Sequence, residues 1–432
     1  MSDLTSRFLP EIQQNHLPGL SLGNDLICPG YTGMSILNIP STICREFGVP
    51  GLGAPHFHED LLKQIDQLIQ VKDIRRVICV LIDGLSLLRL RQWIKTDQLP
   101  VWTEWLEEGI LLPLTSIVPS TTSSALTSLW TGRSPAEHGV VGYEMWLKEY
   151  GIVINTVIHA PMSYKNDYGS LVKAGFRADE FIPFPKLGTH LSQNGVNSHA
   201  FQHFSISRSE LSKMLLKDTQ MHTFNTATDL WINLLQLIES KPNERMYNWV
   251  YWGEIDFFSH HYGPNDKRVF AELLNFTYTF QQSFLLPMKR KQKNDTLVIL
   301  TADHGEIVTN KNPQFELRHH PSLIQRLHIM PTGEHRLAYL YVRPGQAENV
   351  KAYIKNTWGE NFTIINSRHA VKAGLLGPGI HHPLLSDRTG EFMVVANNDS
   401  YLWWAESENS MVGRHGGMSP DEMLVPFIAL RL

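Results

Sequence analysis

A chain of 432 residues, 42% apolar and 19% charged, can bury a sizeable core, and its length points to one large α/β domain with insertions or to two domains. Its net charge of -4 supplies no broad basic field, which excludes a nucleic-acid polymer as the expected partner. Cys28, Cys44 and Cys79 lack C-x-x-C spacing and read as reduced thiols. With no basic-then-apolar leader and no apolar run of about eighteen residues, a cytoplasmic protein without a membrane partner is expected.

Residues 1 to about 72 form a lead-in punctuated by Pro and Gly, expected to pack on the core, and it closes in an amphipathic stretch from Leu61 to Val71. The regular pattern starts at Val77–Ile82, a continuous apolar run stopped by Asp83-Gly84, as in a strand covered on both faces in a parallel sheet. Helical spacing follows from Leu87 to Ile94. A second strand is expected from Leu112 to Val118, ending at Pro119. There the hydroxyl-rich Ser120–Ser124 opens a helix that stops near Gly132. Tyr247–Trp252 and Thr296–Leu300 are two more buried strands, separated by an amphipathic helix from Phe270 to Met288. This alternation predicts a doubly wound, mostly parallel α/β sheet flanked by helices, with ligands collecting at the carboxyl ends of its strands. Residues 143–195 and 305–395 break the rhythm and are expected to be inserted lid segments of a catalytic domain spanning 73–432.

The residues expected at that sheet edge make a chemical set. Asp83, Asp256 with His260 one helical turn on, Asp303-His304 and His415 offer carboxylate and imidazole donors, a mixture that suits zinc, with manganese second. Two such ions need about six protein ligands. Thr122 stands at the expected helix start, and a threonine hydroxyl becomes a useful nucleophile when a cation stabilises its alkoxide. Each fragment alone is also what a turn or helix cap looks like, so the reading rests on their joint occurrence at one edge.

Taken in order, VLIDG (80–84), PSTTSSALTSLWTGRSPAEHG (119–139), DFFSHHYGP (256–264), TADHG (301–305) and GRHGG (413–417) resemble the motif set of the type I phosphodiesterase / nucleotide pyrophosphatase family, within the alkaline phosphatase superfamily. The resemblance implies an alkaline phosphatase-like fold and two divalent metal ions. It assigns Asp83, Thr122, Asp303 and His304 to one ion, and Asp256, His260 and His415 to the other. Thr122, nine residues before Thr131-Gly132, becomes the nucleophile, with Thr121 as the fallback. The activity implied is hydrolysis of phosphodiester or pyrophosphate bonds in a small substrate, a nucleotide among the candidates, through a phosphothreonine intermediate.

A phosphomonoesterase or phosphonate hydrolase on the same scaffold is the rival enzyme, and a binding protein that has lost the reaction is the rival of another class. The absence of a Cys/Ser-x-Pro-x-Arg sequence disfavours a sulfatase. Ala125 offers no polar group to a phosphoryl oxygen, which leaves backbone N–H groups at the helix start, with Ser123 or Ser124, for that role. Trp130, Tyr143, Trp146 and Trp252 are candidates to stack on a base, and Arg133 and Arg336 to pair with a phosphate. His56-Phe57-His58-Glu59-Asp60 is a partial metal motif, and His319-His320 and His381-His382 are expected in solvated loops.

Overall fold

The computed structural model describes residues 2–23, 25–69, 74–96, 98–163, 167–289 and 295–432. Eight strands form the large sheet, in the spatial order Ser2–Asp3, Ile110–Thr115, Leu424–Arg431, Thr296–Thr301, Arg76–Ile82, Met246–Trp252, Asn197–His203 and Gln220–Phe224. All neighbours run parallel except Leu424–Arg431, which is antiparallel to the strands on both sides. The central strands Arg76–Ile82, Met246–Trp252 and Thr296–Thr301 are buried along their whole length. Helices covering both faces leave no solvent-facing side to carry polar residues, which is why these segments read as mainly apolar runs rather than alternating ones.

Phe8, Ile12, Ile36, Leu37 and Ile43 of the lead-in belong to the same core cluster as these strands. Its amphipathic stretch is the helix Glu59–Ile69, and the end expected at Val71 lies outside the described residues. The expected strand from Leu112 to Val118 is displaced toward its start and spans Ile110–Thr115. The helix expected around Phe270 to Met288 runs from Lys267 to Phe280 and passes through one π-helical turn, Gln281–Leu285, before Leu286–Lys289. Among the described residues no helix is long and apolar enough to cross a membrane.

A second, fully antiparallel sheet draws its strands from the two interrupted regions, in the order Phe362–Asn366, Phe392–Ala396, Leu337–Val342, Leu327–Glu334, Glu144–Leu147, Ile152–Asn155 and Ala160–Pro161. The regions meet where Gly333 pairs with Glu144 and where Glu334 Oε1 accepts the Tyr143 N–H at 2.7 Å. Burial drives the Glu334 carboxyl up to about 8, and the same cause takes Glu144 to about 7 even though Trp404 Nε1 donates to it.

The helix Thr122–Thr131 ends on Gly132 in a left-handed conformation, φ 63°. A Cβ there would fall 2.0 Å from the Leu52 carbonyl oxygen, and the Gly132 carbonyl accepts the Ala54 N–H at 2.7 Å. Glycine therefore both stops the helix and lets the lead-in close on its end. Gly132→Ala is expected to cost about 2–3 kcal/mol in urea unfolding, through left-handed strain and displacement of backbone.

A carboxyl with a raised folded-state pKa holds its proton more tightly when folded. Its contribution is complete below the unfolded value, about 4.3, and is lost as pH rises toward about 8. Chelator-treated protein is therefore expected to lose thermal stability between pH 5.5 and 8.5, and Glu334→Gln to flatten that decline.

Candidate metal centre

The chain enters the site through a cis Val118-Pro119 bond and an extended Thr121, and Thr122 is the first residue of its helix. Thr122 Oγ1 lies 3.1 Å from His304 Nε2 and donates to Asp83 Oδ2 at 3.4 Å. Thr121, the fallback, is buried as the N-cap residue. Ser123 Oγ donates to the Gly142 carbonyl at 3.1 Å and Ser124 Oγ to the Val140 carbonyl at 2.8 Å. Both hydroxyls are thus committed to the following loop, contrary to the expectation that one holds a phosphoryl oxygen. The helix start has no side-chain cap, so its backbone N–H groups remain the anion-facing donors at that end.

The other groups arrive from strand ends. Asp83 follows directly on Arg76–Ile82, and Asp303-His304 follows Thr296–Thr301 in the adjacent parallel strand. Asp256 and His260 lie one turn apart on the helix Glu254–Tyr262, which follows Met246–Trp252. Gly84, at φ 76°, permits that helix to approach, because a Cβ there would sit 3.0 Å from the Asp256 Cα. His415 comes from the loop after Gly413–Arg414.

The structure brings all seven together as two adjoining groups. In one, His304 Nε2 is 3.4 Å from Asp83 Oδ1 and 3.6 Å from Asp303 Oδ2. In the other, Asp256 Oδ1 is 3.3 Å from His260 Nε2 and 3.7 Å from His415 Nε2. The rings of His304 and His415 stack between them at 3.8 Å.

Orientation is set from behind. The Nδ1 atoms of His260, His304 and His415 face the carbonyls of Gly413, Gly305 and Ser120 at 2.9, 3.2 and 3.1 Å, which leaves each Nε2 free to meet a cation. Tyr251 donates its phenol to Asp83 Oδ2. Arg336 Nε and Nη2 pair with Glu422 at 2.6 and 2.9 Å, and Glu422 also accepts the N–H groups of Gly417 and Ser419, which fastens the loop beyond His415.

Asp83 and Asp303 are sealed from solvent, and Asp83 Oδ1, Asp303 Oδ2 and Asp256 Oδ1 have no hydrogen-bond partner. Burial first, then repulsion from Asp303 and Asp256, holds the Asp83 carboxyl well above the usual range. Burial also holds His415 well below its ordinary value, in the neutral form that ligates metals. Unpaired oxygens and imidazoles converging in this way fit divalent cations.

Other sequence candidates have different roles. Trp130 and Trp252 are core residues and unavailable for stacking, whereas Tyr143 is 41% exposed. Arg336 is consumed by Glu422, and Arg133 pairs with Glu137 at 2.9 Å, so neither is a free phosphate partner. His320 is buried rather than solvated, bonded through Nδ1 to Tyr353 Oη and through Nε2 to the Gln314 carbonyl. His56 and His58 lie outside the metal-competent groups found among the described residues. Those groups include Glu306, which the motifs did not single out. The available signal was its position one Gly after Asp303-His304.

A family model for type I phosphodiesterase / nucleotide pyrophosphatase matches residues 77–418. Among solved structures, murine ectonucleotide pyrophosphatase / phosphodiesterase 5 is similar with a TM-score of 0.59 at 16% identity, over 82% of this chain and 87% of that one. An inactive form of that protein in complex with AMP is similar with a TM-score of 0.59 at 16% identity, over 82% and 88% of the two chains. Phosphonoacetate hydrolase from Sinorhizobium meliloti 1021, in complex with phosphonoformate, gives 0.60 at 17% identity over 83% and 90%. At these identities the structures speak for the fold, and the match over most of the chain speaks for the family. The chain belongs to the type I phosphodiesterase / nucleotide pyrophosphatase family and is a phosphoric ester hydrolase with the alkaline phosphatase-like α/β fold.

Proposed function

We propose that the chain hydrolyses phosphodiester or pyrophosphate bonds of a small substrate, nucleotides included, with Thr122 as nucleophile. The observation that carries this reading is the position of Thr122 Oγ1, at a helix start and within 3.4 Å of both Asp83 and His304. Asp83, Asp303 and His304 with Thr122 would hold one divalent ion, and Asp256, His260 and His415 the other, zinc first and manganese second. When bound, the ions supply positive charge to the threonine oxygen and the departing oxygen, and acidify water.

The side chains then have distinct tasks. Thr122 Oγ1 forms a bond to phosphorus as the bond to the leaving oxygen breaks, and water later cleaves the phosphothreonine and restores the hydroxyl. Asp83 faces the hydroxyl proton, and Tyr251 keeps that carboxylate aligned. Backbone N–H groups at the start of the helix stabilise the non-bridging oxygens. Segments 143–195 and 305–395, joined in the antiparallel sheet, act as the lid over a catalytic domain spanning 73–432. The three cysteines, free and buried, suit a reducing cytoplasm.

A second reading, phosphonate or phosphomonoester hydrolysis, draws support from the similarity to a phosphonoacetate hydrolase. A binding protein without activity is disfavoured, because the threonine hydroxyl is intact and lies against Asp83 and His304.

Metal-loaded protein is expected to turn over bis(p-nitrophenyl) phosphate faster than p-nitrophenyl phosphate or phosphonoacetate. Faster monoester or phosphonate turnover would replace the first reading with the second. Thr122→Ala is expected to lower kcat at least about 1,000-fold, and an unchanged rate would mean the nucleophile is another residue. A chelator should abolish activity and added zinc restore it.

A further inference from the structure

The group around Asp256, His260 and His415 has a fourth member. Glu306 follows Asp303-His304-Gly305 and sits at the entrance to the short strand Ile307–Val308, which pairs with Gly413–Arg414 just before His415. It is 0% exposed, and neither of its carboxylate oxygens has a hydrogen-bond donor. Oε1 lies 3.7 Å from His260 Nε2, and one donor atom from each of Asp256, His260, Glu306 and His415 falls within 4.8 Å of the others. Space is kept for it: a Cβ on Gly413 would lie 2.5 Å from Glu306 Oε2.

The ordinary explanations for a buried glutamate do not fit. Of the two nearby cations, Arg89 directs its guanidinium to Asn265 Oδ1 at 3.1 Å and to the backbone carbonyl of Glu306 at 3.2 Å, and Arg414 donates to Thr309 Oγ1, Asn409 Oδ1 and the Met411 carbonyl, so neither bonds the carboxylate. Helix capping is absent, since the residue precedes a strand. A sealed carboxylate without donors is strongly disfavoured unless a cation or proton meets it, and the side chains around it are those that would hold a cation.

We infer that Glu306 is a fourth protein ligand of the ion held by Asp256, His260 and His415. The inference rests on the two-ion reading proposed above and adds a residue to it. That site would then present two carboxylates and two imidazoles. Four carboxylates, Asp83, Asp256, Asp303 and Glu306, would face two divalent ions. An oxygen-richer shell discriminates less between zinc and manganese than one dominated by imidazole.

The test is metal binding by the full chain, read apart from turnover. Apo protein is titrated with zinc against a chromophoric chelator, and bound metal is counted by elemental analysis after gel filtration. Wild type is expected to hold two ions. Glu306→Gln should keep one at wild-type affinity and bind the second about 100-fold more weakly, the upper end of what even an indirect partner of a metal site is worth. Without metal the variant should melt no lower than wild type, because an amide of the same size replaces a buried carboxyl that has no hydrogen-bond donor. Two ions at unchanged affinity in Glu306→Gln would overturn the inference while leaving the two-ion reading intact. Fewer than two ions in wild type would overturn both. Should Glu306→Gln fail to fold, Glu306→Asp preserves the charge and is read by the same criterion: its shorter side chain should weaken the second ion, and unchanged affinity sinks the assignment.

Discussion

Carboxyl groups crowded at one largely buried rim are the constraint from which the rest of this structure follows. Asp83, Asp303 and Glu306 are sealed, Asp256 is largely buried, and their ion-pair partners among the described residues are imidazoles, while the nearby Arg89 and Arg414 turn their guanidinium groups to other acceptors. Such a cluster persists in a folded protein when the surrounding framework is stable enough to hold it open and when cations offset the repulsion. The framework is supplied by three central strands with no exposed face, whose ends deliver Asp83, Asp303 and the helix bearing Asp256 to one rim. The Nδ1 contacts of three histidines to backbone carbonyls then fix the direction from which a cation is met.

How much of this was legible in the sequence depended on whether the physical reason was local. The central strands announced themselves because burial on both faces makes each run predominantly apolar, with Asn248 the one polar interruption inside Met246–Trp252. Asp83, Thr122, Asp256, His260 and Asp303-His304 could be placed because each sits at a strand end or helix start that composition marks. The second sheet was not legible. Ile152–Asn155 and Phe362–Asn366 are short and partly exposed, and the two interrupted regions join across a long separation, as Gly333 with Glu144 shows. Glu306 carried only its place one Gly after Asp303-His304, and a lone acid after a glycine reads as a surface residue until Gly413 and His260 are seen to enclose it.

The departures share a cause. Ser123, Ser124, Arg336 and His320 are polar residues whose partners lie in distant segments: Gly142, Val140, Glu422 and Tyr353 with Gln314. Sequence shows that a polar group needs a partner but not which one it finds, and groups that look available to a substrate are those most often consumed by the fold. The strand Leu424–Arg431 was hidden for a related reason. Pro426 argues against a central strand, yet here it faces Pro113 and lies one residue beyond the pairing with Thr296–Thr301, so no interior ladder bond is lost.

That strand has a consequence for how the molecule assembles. It lies between Ile110–Thr115, which leads to the threonine helix, and Thr296–Thr301, which leads to Asp303-His304. Its pairings, Leu424 with Thr115 and Leu430 with Val298, join segments far apart in the chain. Contacts of such high order form slowly, because loop closure is met before any pairing energy returns. The threonine helix and Asp303-His304 are thus held in register with each other only through a strand contributed by a segment remote from both.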